Sequence, residues 1–277
     1  MKELKYGKAK GLVLLNKYLP KINPFKTVSI IRNEEEWNNV KNKYPERITI
    51  RTDTLIGDTK NVRIDGAAGK KAEVPGIMKE VKRQNPNGVV LLLEVKSKQP
   101  QRYENDGGFN IIFNMDESII IELVGKGFDA REITREKAVH ERYVIPWNEI
   151  LFLKNKKDIM KNELVSKYIV NEEEYKRTRK ERMEFLSSIY EISENIEKEV
   201  PDKYTKLNDD FIEQILNDIV FELYKKENEL KKDGLNHFGV QGNIVNNRPE
   251  AWEIFRAERL ISNKENVIEK DMEENER

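Results

Sequence analysis

The longest uninterrupted apolar run, Val89-Val90-Leu91-Leu92-Leu93, leads into Glu94 and Val95 and follows the turn-forming Asn85-Pro86-Asn87-Gly88. A run of this length without alternation predicts a strand buried on both faces. Strand-like composition also marks Thr27 to Ile31, Ile48 to Arg51, Phe109 to Asn114, Ser118 to Val124 and Arg142 to Ile145. The last three are separated by Asp116-Glu117, by Gly125-Lys126-Gly127 and by a polar connection, which predicts a meander. Helical segments are expected after Gly11, ending before Pro20, over 34–42 with an acidic start, and over 75–84. From about residue 157 onward the pattern turns helical. Segment 171–199 is highly charged, and segment 208–230 carries Phe211, Ile212, Ile215, Leu216, Ile219, Val220, Leu223 and Tyr224 in one stripe, a packing face. Near the end, Phe238 and Val240 on one side and Trp252, Ile254 and Phe255 on the other flank an Asn/Gly/Pro-rich stretch, as in a hairpin.

These elements predict an α+β protein with mainly antiparallel sheets and a helical C-terminal part. One lobe covers 1–90. A second, 91–262, holds antiparallel strands, helices and the final hairpin. Residues 263–277, with six acids among few apolar residues, read as a frayed tail.

Composition narrows the function classes. Hydrophobic residues make up 38% and charged residues 36%, a polar but globular balance. Lys+Arg and Asp+Glu are both 50, so no whole-molecule field draws the protein to nucleic acid or an anionic membrane, and any such attraction must be local. With no cysteine, disulfides, thiolate metal sites and a cysteine nucleophile are excluded, leaving oxygen ligands or the two histidines for metal chemistry. No apolar run approaches the roughly 20 residues that span a bilayer, and no secretory signal is visible. The expectation is a cytoplasmic protein with no membrane partner.

Residues 1–26 carry seven lysines against one acid, and Lys8 and Lys10 fall where a helix begins. Lysines there oppose the helix dipole, a conflict that a bound anion would relieve; a solvated basic helix is the alternative. Arg51 heads Arg51-Thr52-Asp53-Thr54 at a strand end, a reasonable phosphate clamp because a guanidinium bonds two oxygens at once. Asp65 to Lys71 is glycine-rich but lacks the Gly-Lys-Ser/Thr ending of a Walker loop, so it reads as a mobile phosphate-touching loop or a plain surface one. Glu122 sits inside an apolar strand and must face solvent or meet a cation, since a buried carboxylate without a partner is costly. His140, at a strand start beside Glu141, reads as a surface residue. In the hairpin, Gln241, Asn243 and Glu253 are placed to converge near Arg248 and Arg256, and three such oxygen-bearing groups suit magnesium carrying phosphate. An ordinary polar hairpin is the other reading. Lys176 to Arg182 is the densest basic cluster, but Glu172 to Glu174 and Glu184 favour a solvated helix.

In order along the chain, these signals resemble the ATP-binding part of pyruvate phosphate dikinase and phosphoenolpyruvate synthase, an ATP-grasp branch. Gly7-Lys8-Ala9-Lys10-Gly11 followed by an apolar helix and Pro24-Phe25 resembles that family's opening Gly-Gly-Lys, helix and Pro-Pro-Gly-Phe. Ile50-Arg51-Thr52-Asp53-Thr54 resembles its Val-Arg-Ser-Ser, with Thr52-Asp53 in place of two serines. The run ending at Glu94 looks like the strand beside adenine. Gln241 and Glu253 are similar, in swapped order, to the paired carboxylate and amide that hold magnesium, with Arg256 as the arginine that follows.

The resemblance implies an ATP-grasp-like two-lobe architecture that binds Mg-ATP and transfers phosphoryl to a small-molecule or protein acceptor, without the phosphohistidine and pyruvate-binding domains. Arg51 and Arg256 are the candidate catalytic residues. Lys8, Lys10, Arg51, Glu94 and Glu122 are candidates for nucleotide binding, and Gln241, Asn243 and Glu253 for magnesium. Nucleic acid is not a partner in this reading. The alternative is a non-catalytic binding or structural protein that contacts nucleic acid or protein through the basic helix near Lys176.

Overall fold

The computed structural model describes residues 7–54, 68–95, 106–134, 138–153, 155–189, 200–204 and 209–256. The protein is α+β and divides into two compact units. The first comprises residues 1–102 with 250–254, and the second 103–249 with 255–277. The strand at 88–95 thus lies whole within the first unit. The cause is the apolar run, which forms β4 (Gly88–Val95) and hydrogen-bonds on both sides, to β1 (Phe25–Ile31) and to β2 (Arg47–Thr54). A strand paired twice cannot be divided from its neighbours.

The first unit is a four-stranded antiparallel sheet of order β1-β4-β2-β3, in which β3 (Ala68–Lys70) is an edge strand where sequence indicated a loop. On one face, α2 (Glu34–Val40) and α3 (Val74–Gln84) bring Trp37, Val74, Met78 and Val81 onto Ile48, Ile50, Val90 and Leu92. The other residues of the run, Val89, Leu91 and Leu93, are equally buried, as a two-faced strand requires. The first helix, α1 (Lys8–Tyr18), is joined to β2 from that second face through Asp53.

The second unit holds the expected meander, β5 (Gly107–Asn114), β6 (Ser118–Val124) and β7 (Glu141–Pro146), within a sheet of order β10-β9-β5-β6-β7-β8. Edge strand β8 (Ser166–Ile169) interrupts a region that reads as helical in sequence, and its pairing with β7 is what makes it a strand. The final strands are β9 (His237–Val245) and β10 (Arg248–Arg256). Between them Asn246 and Asn247 have φ of 52° and 57°, the left-handed pair of a two-residue hairpin turn, which asparagine tolerates.

The charged segment forms α6 (Glu172–Ile189). The amphipathic stripe forms α7 (Asp209–Ile215), a π turn over Leu216–Val220 and α8 (Phe221–Tyr224), with Phe211, Ile212, Ile215, Leu216, Ile219, Val220 and Leu223 all buried. Helices α4 (Ala130–Thr134), α5 (Lys156–Lys161) and α9 (Glu227–Lys232) complete the unit. Among the described residues no helix is long and apolar enough to cross a membrane.

His140 is fully buried rather than at the surface. Its Nδ1 accepts the Gly125 N–H at 3.0 Å, which fixes a neutral ring, and Phe128, Tyr175 and Tyr204 surround it at centroid distances of 4.5, 5.1 and 5.0 Å. Burial lowers its pKa from 6.5 to about 4, against the charge of Glu141, which acts to raise it. Because the unfolded chain binds the proton more readily, this contribution to stability is complete above pH 6.5 and is lost as pH falls toward 4. Urea unfolding at pH 7 and pH 5 should therefore differ by about 2 kcal/mol on account of His140, and His140→Gln should remove that portion of the dependence. An unchanged pH dependence in the variant would refute the assignment.

Candidate functional site

The sequence-derived candidates fall into two groups, one in each unit. In the first unit, three stretches remote in sequence come together: the start of α1, the end of β2 and the segment Trp252-Glu253-Ile254. Asp53, which replaces a serine of the resembled motif, is only 2% exposed, and its Oδ2 accepts the Ala9 N–H at 2.7 Å. The anion expected to relieve the basic helix start is thus supplied by the chain itself. A carboxylate at a helix N-terminus meets both the free N–H groups and the positive end of the dipole. On the same helix Gly11 lies against the backbone of Ile254, where a Cβ would come within 2.3 Å of the carbonyl oxygen. That contact is open only to glycine.

Arg51 lies two residues before Asp53 on β2, so the two side chains leave the same face. Its Nη1 is 3.8 Å from Glu253 Oε2, and its guanidinium stands 5.6 Å from the centroid of the Trp252 ring. Both charged groups are partly exposed, at 20% and 15% of the side chain. Phe25 holds the indole edge-on at 5.8 Å, and the indole N–H is buried without a hydrogen-bond partner among the described residues. Sequence reasoning gave Trp252 no role; its place beside Arg51 follows from tertiary contact and has no signal in the strand pattern. Lys8 is exposed and Lys10 half-exposed. Glu94 lies in the same unit and pairs with Lys26 at 3.7 Å.

In the second unit two of the candidates, Gln241 and Glu122, share one row across the sheet. Gln241 on β9 is opposite Asn110 on β5, Asn110 is opposite Glu122 on β6, and Glu122 is opposite Arg142 on β7. Glu122, wholly buried, meets a cation: it accepts from Arg142 Nε at 3.2 Å and from Asn110 Nδ2 at 3.0 Å. The amide oxygen of Asn110 has no hydrogen-bond partner among the described residues. Asn243, further along β9, is engaged in the fold, since its Oδ1 accepts the Ala130 N–H at 3.2 Å. The three expected magnesium ligands therefore belong to different units, Glu253 to the first and Gln241 and Asn243 to the second. The Arg256 side chain lies outside the described residues, as do Asp65 to Ala67 of the glycine-rich loop. Among the described residues no three His, Asp or Glu side chains group as metal ligands.

The basic cluster on α6 is neutralised in part along its own helix and in part by other elements, as Arg179 pairs with Asp202 at 2.7 Å. Lys176 pairs with Glu172 at 2.7 Å, and Arg177 lies between Glu174 and Glu181 at 3.9 and 3.6 Å. Arg182 turns inward, bonds Glu132 at 2.5 Å and donates to the Gly127 carbonyl at 2.9 Å. Burial acts to raise the pKa of neighbouring Asp129, but hydrogen bonds from Arg131 and the charges of Arg131 and Arg182 outweigh it and hold the group at about 2. These are structural charges, each with its counterpart.

No family model matches the chain, and no curated protein matches it. Among solved structures it is similar to PH1788 from Pyrococcus horikoshii Ot3, at 12% identity and a TM-score of 0.39, over 91% of this chain and 92% of that one. At that likeness neither fold nor function carries across.

The close approach at Gly11 reverses an ordinary expectation. Alanine in place of a mid-helix glycine usually stabilises by about 1 kcal/mol. Here Gly11→Ala should destabilise by on the order of 2 kcal/mol, because the methyl group meets a carbonyl oxygen and α1 must move. Urea unfolding of the variant measures it. A gain in stability would show that α1 does not rest on the Ile254 backbone.

Proposed function

We propose that the protein binds Mg-ATP and transfers a phosphoryl group to a small-molecule or protein acceptor, with Lys8, Lys10 and Arg51 on the phosphates and Glu253 on the metal. The supporting observation is the Arg51–Glu253 pair, which stands at 3.8 Å, too long for a hydrogen bond, in a unit that also holds the helix carrying Lys8 and Lys10. In this reading Mg2+ would take the place of Arg51 beside Glu253, and phosphate the place of Glu253 beside Arg51. Arrival of the metal and its nucleotide would give each member of the pair a new partner of opposite charge.

In this reading Asp53 keeps α1 in place, and the lysine and arginine side chains neutralise the oxygens of the transferring group. Positioning and charge stabilisation are then the main catalytic contributions, as in phosphoryl transfer generally. The two units would correspond to the two lobes of an ATP-grasp protein, and such an enzyme would work in the cytoplasm, where ATP is available.

The second reading, a non-catalytic protein, draws on the same contacts. Asp53 and the Arg51–Glu253 pair satisfy one another internally and need no ligand. Thermal unfolding with and without Mg-ATP separates the two, because a ligand at 100 times its Kd stabilises by about 2.7 kcal/mol. Arg51→Ala should weaken nucleotide binding by about tenfold or more while the fold survives, since a charge-assisted contact is lost and little core with it. Glu253→Gln should abolish magnesium-dependent turnover more completely than it reduces binding. If saturating Mg-ATP leaves the melting temperature of the parent unchanged, the nucleotide reading is wrong and the second one stands.

A further inference from the structure

Large apolar side chains at the surface concentrate on one excursion of the second unit. Of the six that are exposed among the described residues, four lie there: Leu151 at 61%, Phe152 at 70%, Met160 at 41% and Leu164 at 63%. The excursion runs through the two-turn 3-10 helix Trp147–Phe152 and through α5, and is closed at its base. Asn162 Nδ2 donates to Glu149 Oε2 at 2.8 Å, while Asn162 Oδ1 accepts the Leu164 N–H at 2.8 Å. Inside, Ile150, Leu153, Ile159 and Val165 are buried and hold it to the unit. The segment therefore has its own inward anchors. The outward apolar residues do not serve to attach it.

Over 150–164 the charge is mildly basic, four lysines against two acids. Residues 150–161 carry Lys154, Lys156, Lys157 and Lys161 against Asp158 alone, with Glu163 following beyond the turn. Among these, Lys157 and Lys161 are exposed. Exposed phenylalanine and leucine together with exposed lysines in one loop are the chemistry of an interfacial anchor: the apolar tips enter the boundary between headgroups and acyl chains, and the lysines meet anionic headgroups. A second copy of the chain fits less well. A two-fold contact would set this patch against itself and bring like charges together.

We infer that the 150–164 loop docks the protein peripherally on an anionic lipid surface, with Leu151 and Phe152 inserting and Lys157 and Lys161 facing the headgroups. No spanning segment is involved, so the expectation of no membrane partner, which rested on spans and net charge, did not bear on this loop. The inference is independent of the nucleotide reading.

Co-sedimentation of the full chain with phosphatidylcholine vesicles, with and without phosphatidylserine, tests it. The protein should pellet with the phosphatidylserine vesicles and be released by salt. Phe152→Glu should weaken this on the order of tenfold with an unchanged melting temperature, and Lys157→Glu with Lys161→Glu should remove the preference for phosphatidylserine. Three outcomes overturn the inference: no pelleting of the parent with either vesicle, equal pelleting of parent and Phe152→Glu, or a reversible dimer in sedimentation velocity that Phe152→Glu abolishes while vesicles are not bound. The last would assign the face to a second copy.

Discussion

A carboxylate shut away from water has to be met by donors, and Asp53 is met by the start of a helix. Its bond to the Ala9 N–H joins α1 to the last residues of β2, and β2 is in turn held by β4 at the centre of the first sheet. A buried anion without such a donor would cost several kcal/mol, so the start of α1 and the end of β2 are held together at this point. From that junction the neighbouring parts take their places. Gly11 allows α1 to lie on the Ile254 backbone, and Arg51 reaches Glu253 and Trp252 from the same face of β2.

The second unit handles buried charge in another way, spreading it over pairs that connect elements far apart in sequence. Arg182 of α6 meets Glu132 of α4, and Arg142 of β7 meets Glu122 of β6. Such pairs add little net stability over apolar residues of the same size, because desolvation offsets most of the attraction. Removing one partner is a different matter. It leaves a charge buried alone, so these pairs discriminate strongly between the native arrangement and any alternative that separates them.

Equal numbers of acids and bases leave the protein no long-range field, and what remains is local. Along α6, Lys176 and Arg177 pair with acids about one turn away, while Arg179 and Arg182 pair with Asp202 and Glu132. In the first unit the Arg51–Glu253 pair is partly exposed and longer than a hydrogen bond, a looser balance than the one at Asp53.

What the sequence by itself determined was whatever depends on period and local chain geometry. The unbroken run of β4, the β5 to β7 meander, the buried stripe of α7 and α8 and the final hairpin were all legible, since each is encoded in neighbouring residues. Strand β8 was not, for a strand of four residues at a sheet edge draws its identity from the partner it pairs with. The candidate site was legible as residue types only. Lys8, Lys10, Arg51 and Glu253 proved to share a unit, but Gln241 and Asn243 belong to the other, and the anion at the helix start was Asp53. His140 likewise passed from an expected surface position to a cage of aromatic rings. Only the tertiary structure decided these, because the environment of a charged or titratable side chain is set by elements distant in sequence, and no local pattern specifies which of many acids and bases will meet.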